Sequence, residues 1–222
     1  MKSSIGELIS ATVPYVLETA TVREALYLIE DNGVDCIIIL NSAEEVIGLV
    51  EDVTLEELND ELTLSQVSID IRFKGVHKQL HVYDALKIMK DNAWTVLPVV
   101  GDDWVYVGGV KLEDLTNELV ENLAYKYSGA IIVLRTLETD YSLSEIIRIC
   151  ESNDTRVLSV GTQKEEDSRA VYIILKLEKT DISSVIASLN RYEYEVIASY
   201  GHNLYNEDLK GRLDLLMHFI NM

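Results

Sequence analysis

Displaced by 60 residues, the first half of this chain lies on itself without a gap. Thr21-Val22-Arg23-Glu24-Ala25-Leu26 falls on His81-Val82-Tyr83-Asp84-Ala85-Leu86, Asp31-Asn32 on Asp91-Asn92, and Gly48-Leu49-Val50 on Gly108-Gly109-Val110. Nine residues between Val16 and Leu55 are identical to their partners: Val16, Val22, Ala25, Leu26, Asp31, Asn32, Gly48, Val50 and Leu55. Nothing comparable continues past about residue 125. A repeat of this kind signals a unit that cannot bury its apolar face alone. The two copies should therefore pack on each other, and a cleft between them is where a ligand would sit.

The copies read as strand, helix, strand, strand, helix. Val22, Ala25, Leu26 and Ile29 follow helical spacing, with Thr21 as N-cap and Gly33 closing the helix. Cys36 to Leu40 is a continuous apolar run, the pattern of a strand covered on both faces. Val46 to Val50 returns as a second strand, and Glu51 to Leu58 is a helix. In the second copy the helix runs from about His81 to Asn92, the strands over Thr95–Val100 and Val105–Val110, and the last helix from Lys111 to about Leu123.

After a short linker, Ala124 to Gly129, the rhythm changes. Strands are expected at Ala130–Leu134, Arg156–Val160, Ala170–Leu175 and Glu195–Ser199, with helices at Leu143–Glu151 and Ile182–Leu189. Gly161 to Ser168 reads as a polar hairpin turn. The order βαββαβ is ferredoxin-like. Beyond it, Leu209, Leu213, Leu216 and Ile220 share one helical face, which suits docking on a neighbouring domain. The domain boundaries are read as 1–60, 61–125 and 129–222.

The net charge of -19 argues against nucleic acid and anionic membrane surfaces, which need clustered Lys and Arg. Arg72-Phe73-Lys74 with Lys78 is too small a basic feature for either. The N-terminus has no signal-peptide pattern and no apolar run reaches membrane-spanning length, so a cytoplasmic address is expected. Cys36 and Cys150, one in each half, read as inert small hydrophobes. Of the four histidines, only His77 and His81 have i,i+4 spacing, and they straddle a helix start, where capping and surface roles are expected rather than zinc. No nucleophile elbow, Walker loop or Gly-x-Gly-x-x-Gly occurs, so catalysis is not indicated.

The repeat resembles the CBS domain, named for cystathionine β-synthase. The likeness rests on Thr-Val-x-x-Ala-Leu, on Leu97-Pro98-Val99-Val100, and on the strand ending Gly-hydrophobic-Val before a helix. By element order alone, residues 129–200 resemble an ACT domain, and the combination resembles CBS–ACT proteins of the acetoin-utilisation type. The resemblance implies an α+β fold, a Bateman-type CBS pair plus a ferredoxin-like ACT domain. It implies a homodimeric regulatory sensor of a small molecule such as AMP, ATP or S-adenosylmethionine, acting on a protein partner that the sequence does not name.

The family's binding signature is Gly-hydrophobic-hydrophobic-Thr/Ser-x-x-Asp. A hydroxyl and the first helical amides meet phosphate, and the Asp accepts from ribose. Copy two reads Gly108-Gly109-Val110-Lys111-Leu112-Glu113-Asp114, keeping the Asp and replacing Thr/Ser by lysine. Copy one has Glu51 where phosphate would approach, and no Asp at the ribose position. The implied ligand-binding residues are Asp114, Lys111, Gly109, Val110, Trp94 and Thr95. For Lys111 and Asp114 a solvated helix start is the competing reading, and for Trp94 it is packing against the other copy.

ACT domains take amino acids on a Gly-rich turn. Here Leu137 to Leu143 has no glycine, and Glu138 and Asp140 add negative charge. Asp140 and Ser142 are the amino-acid-binding candidates, with N-capping of the next helix as their alternative. Two other functions stay open beside nucleotide sensing: a ligand-free dimerisation scaffold, and an amino-acid sensor working through the ACT half.

Overall fold

The computed structural model describes residues 4–67, 73–166 and 168–201. The apolar stripe at Leu209–Ile220 lies outside them. The chain forms two compact units, Met1–Leu119 and Val120–Met222.

The first unit contains both copies. Copy one has strands β1 (Tyr15–Leu17), β2 (Cys36–Leu40) and β3 (Val46–Glu51) and helices α1 (Val22–Asn32) and α2 (Asp52–Glu56). Copy two repeats them as β4 (Val76–His77), α3 (Val82–Asn92), β5 (Val96–Val100), β6 (Tyr106–Lys111) and α4 (Leu112–Asn122). Each copy builds a three-stranded sheet whose first pair is parallel and second antiparallel. Gly48 pairs with Ile39 as Gly108 pairs with Val99, and both hairpins slip register one residue later.

The helices start and stop for identifiable reasons. Thr21 and Glu24 form a capping box, the Thr21 N–H donating to Glu24 at 2.8 Å and the Glu24 N–H to Thr21 at 3.2 Å. In copy two His81 replaces the threonine, its Nδ1 accepting from the Tyr83 N–H at 3.1 Å. His77 lies 3.0 Å from Asp102, so both histidines have capping and surface roles. Gly33 ends α1 at φ 60°, while its counterpart Ala93 ends α3 at φ 58°, a conformation that disfavours a Cβ.

Each copy is completed by the segment that precedes the other. Ile5 lies fully buried in the core of copy two with Val82, Met89 and Leu97. The Ile5 and Gly6 amides donate to Leu80 and Lys78 at 3.0 and 2.8 Å. Reciprocally, Leu64 lies in the core of copy one, where the Leu64 and Ser65 amides donate to Ala20 and Glu18. Between the sheets, alternate residues of β2 face the other copy: Cys36, Ile38 and Leu40 share a layer with Val13, Val96 and Val100. That double burial is the physical reason for the uninterrupted apolar run.

The second unit has β7 (Ile131–Leu137), α5 (Leu143–Glu151), β8 (Val157–Lys164), β9 (Ala170–Leu177), α6 (Ser183–Arg191) and β10 (Glu195–Tyr200). The antiparallel sheet has order β10-β7-β9-β8, the ferredoxin-like arrangement. Ile132, Leu134, Ile173 and Leu175 pack with Ile146, Ile149, Val185 and Leu189 of the two helices. Residues 161–164 are strand, not turn: Gly161 pairs with Ile174 and Lys164 with Val171. Their polar composition reflects the sheet edge they occupy. The turn is shorter, and Glu165 holds it by accepting from Ser168 and Tyr172 at 2.6 Å each and from Arg135 at 3.2 Å. These bonds pull the Glu165 carboxyl down to about 2.

Cys36 and Cys150 are free and buried. Burial pushes their thiols up to about 12 and about 11. Among the described residues no helix is long and apolar enough to cross a membrane.

Candidate functional site

A cavity of about 440 Å³ opens between the copies of the first unit. Copy one contributes Asn32, Gly33 and Val34, where α1 ends. Copy two contributes Thr95, at the entrance to β5, Lys111 at the end of β6, and Leu112, Glu113, Thr116 and Asn117 along the start of α4. Copy two holds its own side of the cavity together, and one contact joins it to copy one. The Leu112 N–H donates to the Thr95 carbonyl at 2.8 Å, closing the β6–α4 junction over β5. Thr116 donates its hydroxyl to the Leu112 carbonyl at 2.7 Å. Asp35, next to Val34, meets Thr95 across the repeat axis: the Thr95 N–H donates to Asp35 Oδ1 at 3.2 Å, the Asp35 N–H donates to Thr95 Oγ1 at 3.3 Å, and the Thr95 hydroxyl donates to Asp35 Oδ1.

Two of the six expected ligand-binding residues, Lys111 and Thr95, line this cavity, and four do not. Asp114 is half-buried on α4 but is not part of the lining, which takes Glu113 instead. Val110 is fully buried and belongs to the core of copy two. Gly109 faces the chain before β1; a Cβ there would lie 2.5 Å from Val13 Cγ1, so the missing side chain makes room for protein. Trp94 packs edge-on against Phe73, ring centroids 4.9 Å apart, and against the layer shared by the copies. Sequence reasoning missed Asn32, Gly33 and Val34. The signal was present, because the repeat requires each junction of one copy to meet the helix end of the other.

The 60-residue displacement defines the mirror-image location. There Asn92, Ala93 and Trp94 correspond to Asn32, Gly33 and Val34; Asp35 corresponds to Thr95; and Glu51, Asp52, Glu56 and Glu57 correspond to Lys111, Leu112, Thr116 and Asn117. The backbone obeys the same relation, the Asp52 N–H donating to the Asp35 carbonyl at 2.9 Å. The mirror position therefore carries five carboxylates and a tryptophan where the cavity carries a lysine, one glutamate and neutral side chains. The mirror position would repel an anion, whereas in the cavity the formal charges of Lys111 and Glu113 cancel.

In the second unit, Ser142 is the N-cap of α5, accepting from the Glu145 N–H at 3.4 Å. Asp140 accepts from the Thr139 hydroxyl at 2.6 Å. Glu138 pairs with Lys164 at 2.5 Å. The turn is thus occupied by its own contacts.

The family model of the CBS domain matches residues 5–56 and 70–121, so the first unit is a tandem pair of CBS domains. An uncharacterized protein of Methanopyrus kandleri is 25% identical over 118 residues, which span 50% of this chain and 60% of that protein. The match therefore covers less than two thirds of that relative's length. Among solved structures, a CBS domain pair/ACT domain protein from Thermotoga maritima is 26% identical with a TM-score of 0.48, covering 54% of this chain and 98% of that one. A Vibrio cholerae protein described as an acetoin utilization protein, AcuB, is 21% identical with a TM-score of 0.47, covering 57% and 98%.

Proposed function

We propose that this CBS pair is the sensing half of a regulatory protein and binds an adenine nucleotide in the cavity between the repeats. CBS pairs are regulatory modules that often bind such ligands. The observation that carries the reading is the placement of Lys111, the last residue of β6, in a cavity of about 440 Å³ immediately before the first turn of α4. A phosphate there meets a point positive charge and the amide end of an eleven-residue helix. Val34 and Leu112 supply apolar wall for a base, and Thr95, Thr116, Asn32 and Asn117 supply polar partners. One cation facing one glutamate suits a ligand of low charge, so AMP or S-adenosylmethionine fits better than ATP. The ACT-like domain is read as the output half, with α4 leading from the cavity into the linker. A ligand acts as a signal only if it favours one arrangement of the protein over another.

Calorimetry with AMP, ATP and S-adenosylmethionine tests this reading. Wild type should release or absorb heat with at least one of them, and Lys111→Glu should abolish the response to AMP. Silence of the wild type with all three sinks the proposal. A ligand-free scaffold is then favoured, a reading supported by Asp114 lying outside the cavity lining. That scaffold would show a melting temperature indifferent to metabolites.

A further inference from the structure

The sheet of the second unit is apolar on both faces. Ile132 and Leu134 of β7 and Ile173 and Leu175 of β9 point to α5 and α6, so the residues alternating with them point to the opposite face. An antiparallel sheet open to water on that side carries polar side chains there. Here one row is apolar across all four strands: Ala198 of β10 lies opposite Val133 of β7, Val133 opposite Ile174 of β9, and Ile174 opposite Gly161 of β8. Ile131 and Tyr200 extend it by one row. Ile174 is 39% exposed and Tyr200 55%. Polar groups bound the patch, Arg135 and Tyr172 with Glu165 at one end and Lys176 at the other. So small a patch falls well short of the roughly 800 Å² per partner that a stable dimer buries.

We propose that the segment Leu209–Ile220 of this same chain covers that face, with Leu209, Leu213, Leu216 and Ile220 on the Ala198–Val133–Ile174–Gly161 row. The stripe and the face agree in size. At the 1.5 Å rise of a helix, Leu209 to Ile220 span about 16 Å, and four strands at ~4.8 Å spacing are about 14 Å wide. The connection is adequate. β10 ends at Tyr200, and the eight residues 201–208 reach up to about 28 Å at ~3.5 Å each, enough for any point of the face. The side of entry is set by topology: β10 is an edge strand, and at the other edge the Ser159 hydroxyl of β8 donates to the Leu123 carbonyl at 3.1 Å, where the chain arrives from α4. A segment tethered this closely is presented at about millimolar effective concentration, an advantage that a separate second copy lacks.

Cross-linking in the full chain tests the proposal. With Ile174→Cys and Leu213→Cys combined, a short bismaleimide should join the two within one chain, since Cys36 and Cys150 are buried. A cross-linked dimer, or no cross-link at all, overturns it. Hydrogen exchange supplies a second readout: amides 208–220 should exchange at least tenfold more slowly than in the isolated peptide. Ile174→Glu, at an exposed position of the sheet, should bring them to the peptide rate while the amides of β7 and β9 stay protected. Leu213→Asp, which leaves the sheet untouched, should do the same. Protection that survives either substitution means that the segment lies elsewhere, and peptide-like exchange in the wild type means that it does not dock.

Discussion

The exchange of segments between the repeats makes a quantitative prediction at Ile5. This residue precedes copy one in the chain but is fully buried in copy two. Ile5→Ala removes three carbons, about 2.4 kcal/mol of transfer free energy at ~0.8 kcal/mol per buried methylene. The cavity left among Val82, Met89 and Leu97 adds to this, giving a loss of about 3 kcal/mol. For a unit spanning Met1–Leu119, a sensitivity of roughly 4 °C per kcal/mol translates this to a fall of about 12 °C in melting temperature. Both tryptophans, Trp94 and Trp104, belong to this unit, so their fluorescence reports its unfolding and not that of the second unit. Glu7→Ala, two residues away and exposed, is the control and should change stability by no more than about 0.5 kcal/mol. Leu64→Ala should match Ile5→Ala, because Leu64 occupies the reciprocal place in copy one. A loss below about 1 kcal/mol for Ile5→Ala would mean that the segment merely lies on copy two, and the account of why one copy cannot stand alone would fail.

Three further outcomes are expected. Ala93→Gly should stabilise the first unit by about 1 kcal/mol and Gly33→Ala should destabilise it by about as much; a Cβ at Gly33 meets nothing within 4 Å, so urea midpoints would read the backbone alone. With their thiols raised to about 12 and about 11, Cys36 and Cys150 should resist an aromatic disulfide reagent at pH 8 and both react once urea unfolds the chain. The Glu165 carboxyl should titrate near 2 by carbon-detected NMR. Because its folded value lies below its ordinary 4.5, the stability it contributes is complete above about pH 4.5 and disappears as pH falls towards 2; Glu165→Gln should be less stable than wild type at neutral pH, and the difference should vanish across that window.

The parts of the fold legible in the sequence are those where one local signal suffices. Thr21, Gly33 and the doubly buried run Cys36–Leu40 each announce an element by their own chemistry. The segment exchange had no such signal. Ser4-Ile5-Gly6-Glu7 and Thr63-Leu64-Ser65-Gln66 share no residue and correspond at a displacement of 59 rather than 60, so the match that exposes the repeat passes over them. The end of β8 was hidden for another reason: an edge strand exposes polar side chains, and Gly161-Thr162-Gln163-Lys164 has the composition of a turn. At the candidate site, the signature positions were found but their directions were not. Periodicity gives which residues start α4, whereas the neighbour each side chain meets depends on Val13 and Val34, distant in the chain.

Duplication followed by divergence explains why the two clefts of the pair differ. Two identical copies would give two identical half-sites, each with the same residue on both sides of the axis. At positions 35 and 95 identity is disfavoured: two aspartates would repel, while Asp35 and Thr95 satisfy each other with three hydrogen bonds. Once these positions differ, the two clefts differ, since each takes one member of the pair. The remaining divergence follows the same direction. Lysine stands opposite glutamate at 111 and 51, and valine opposite tryptophan at 34 and 94, so the cation and the smaller side chain fall on one side of the axis and the carboxylates and the tryptophan on the other. The contact that joins the repeats is therefore also the contact that makes them unequal. A variant that restored symmetry there, Thr95→Asp, would place two carboxylates face to face, and it should loosen the inter-repeat contact and lose nucleotide binding together; separation of the two effects, with binding retained by a loosened pair, would refute the link.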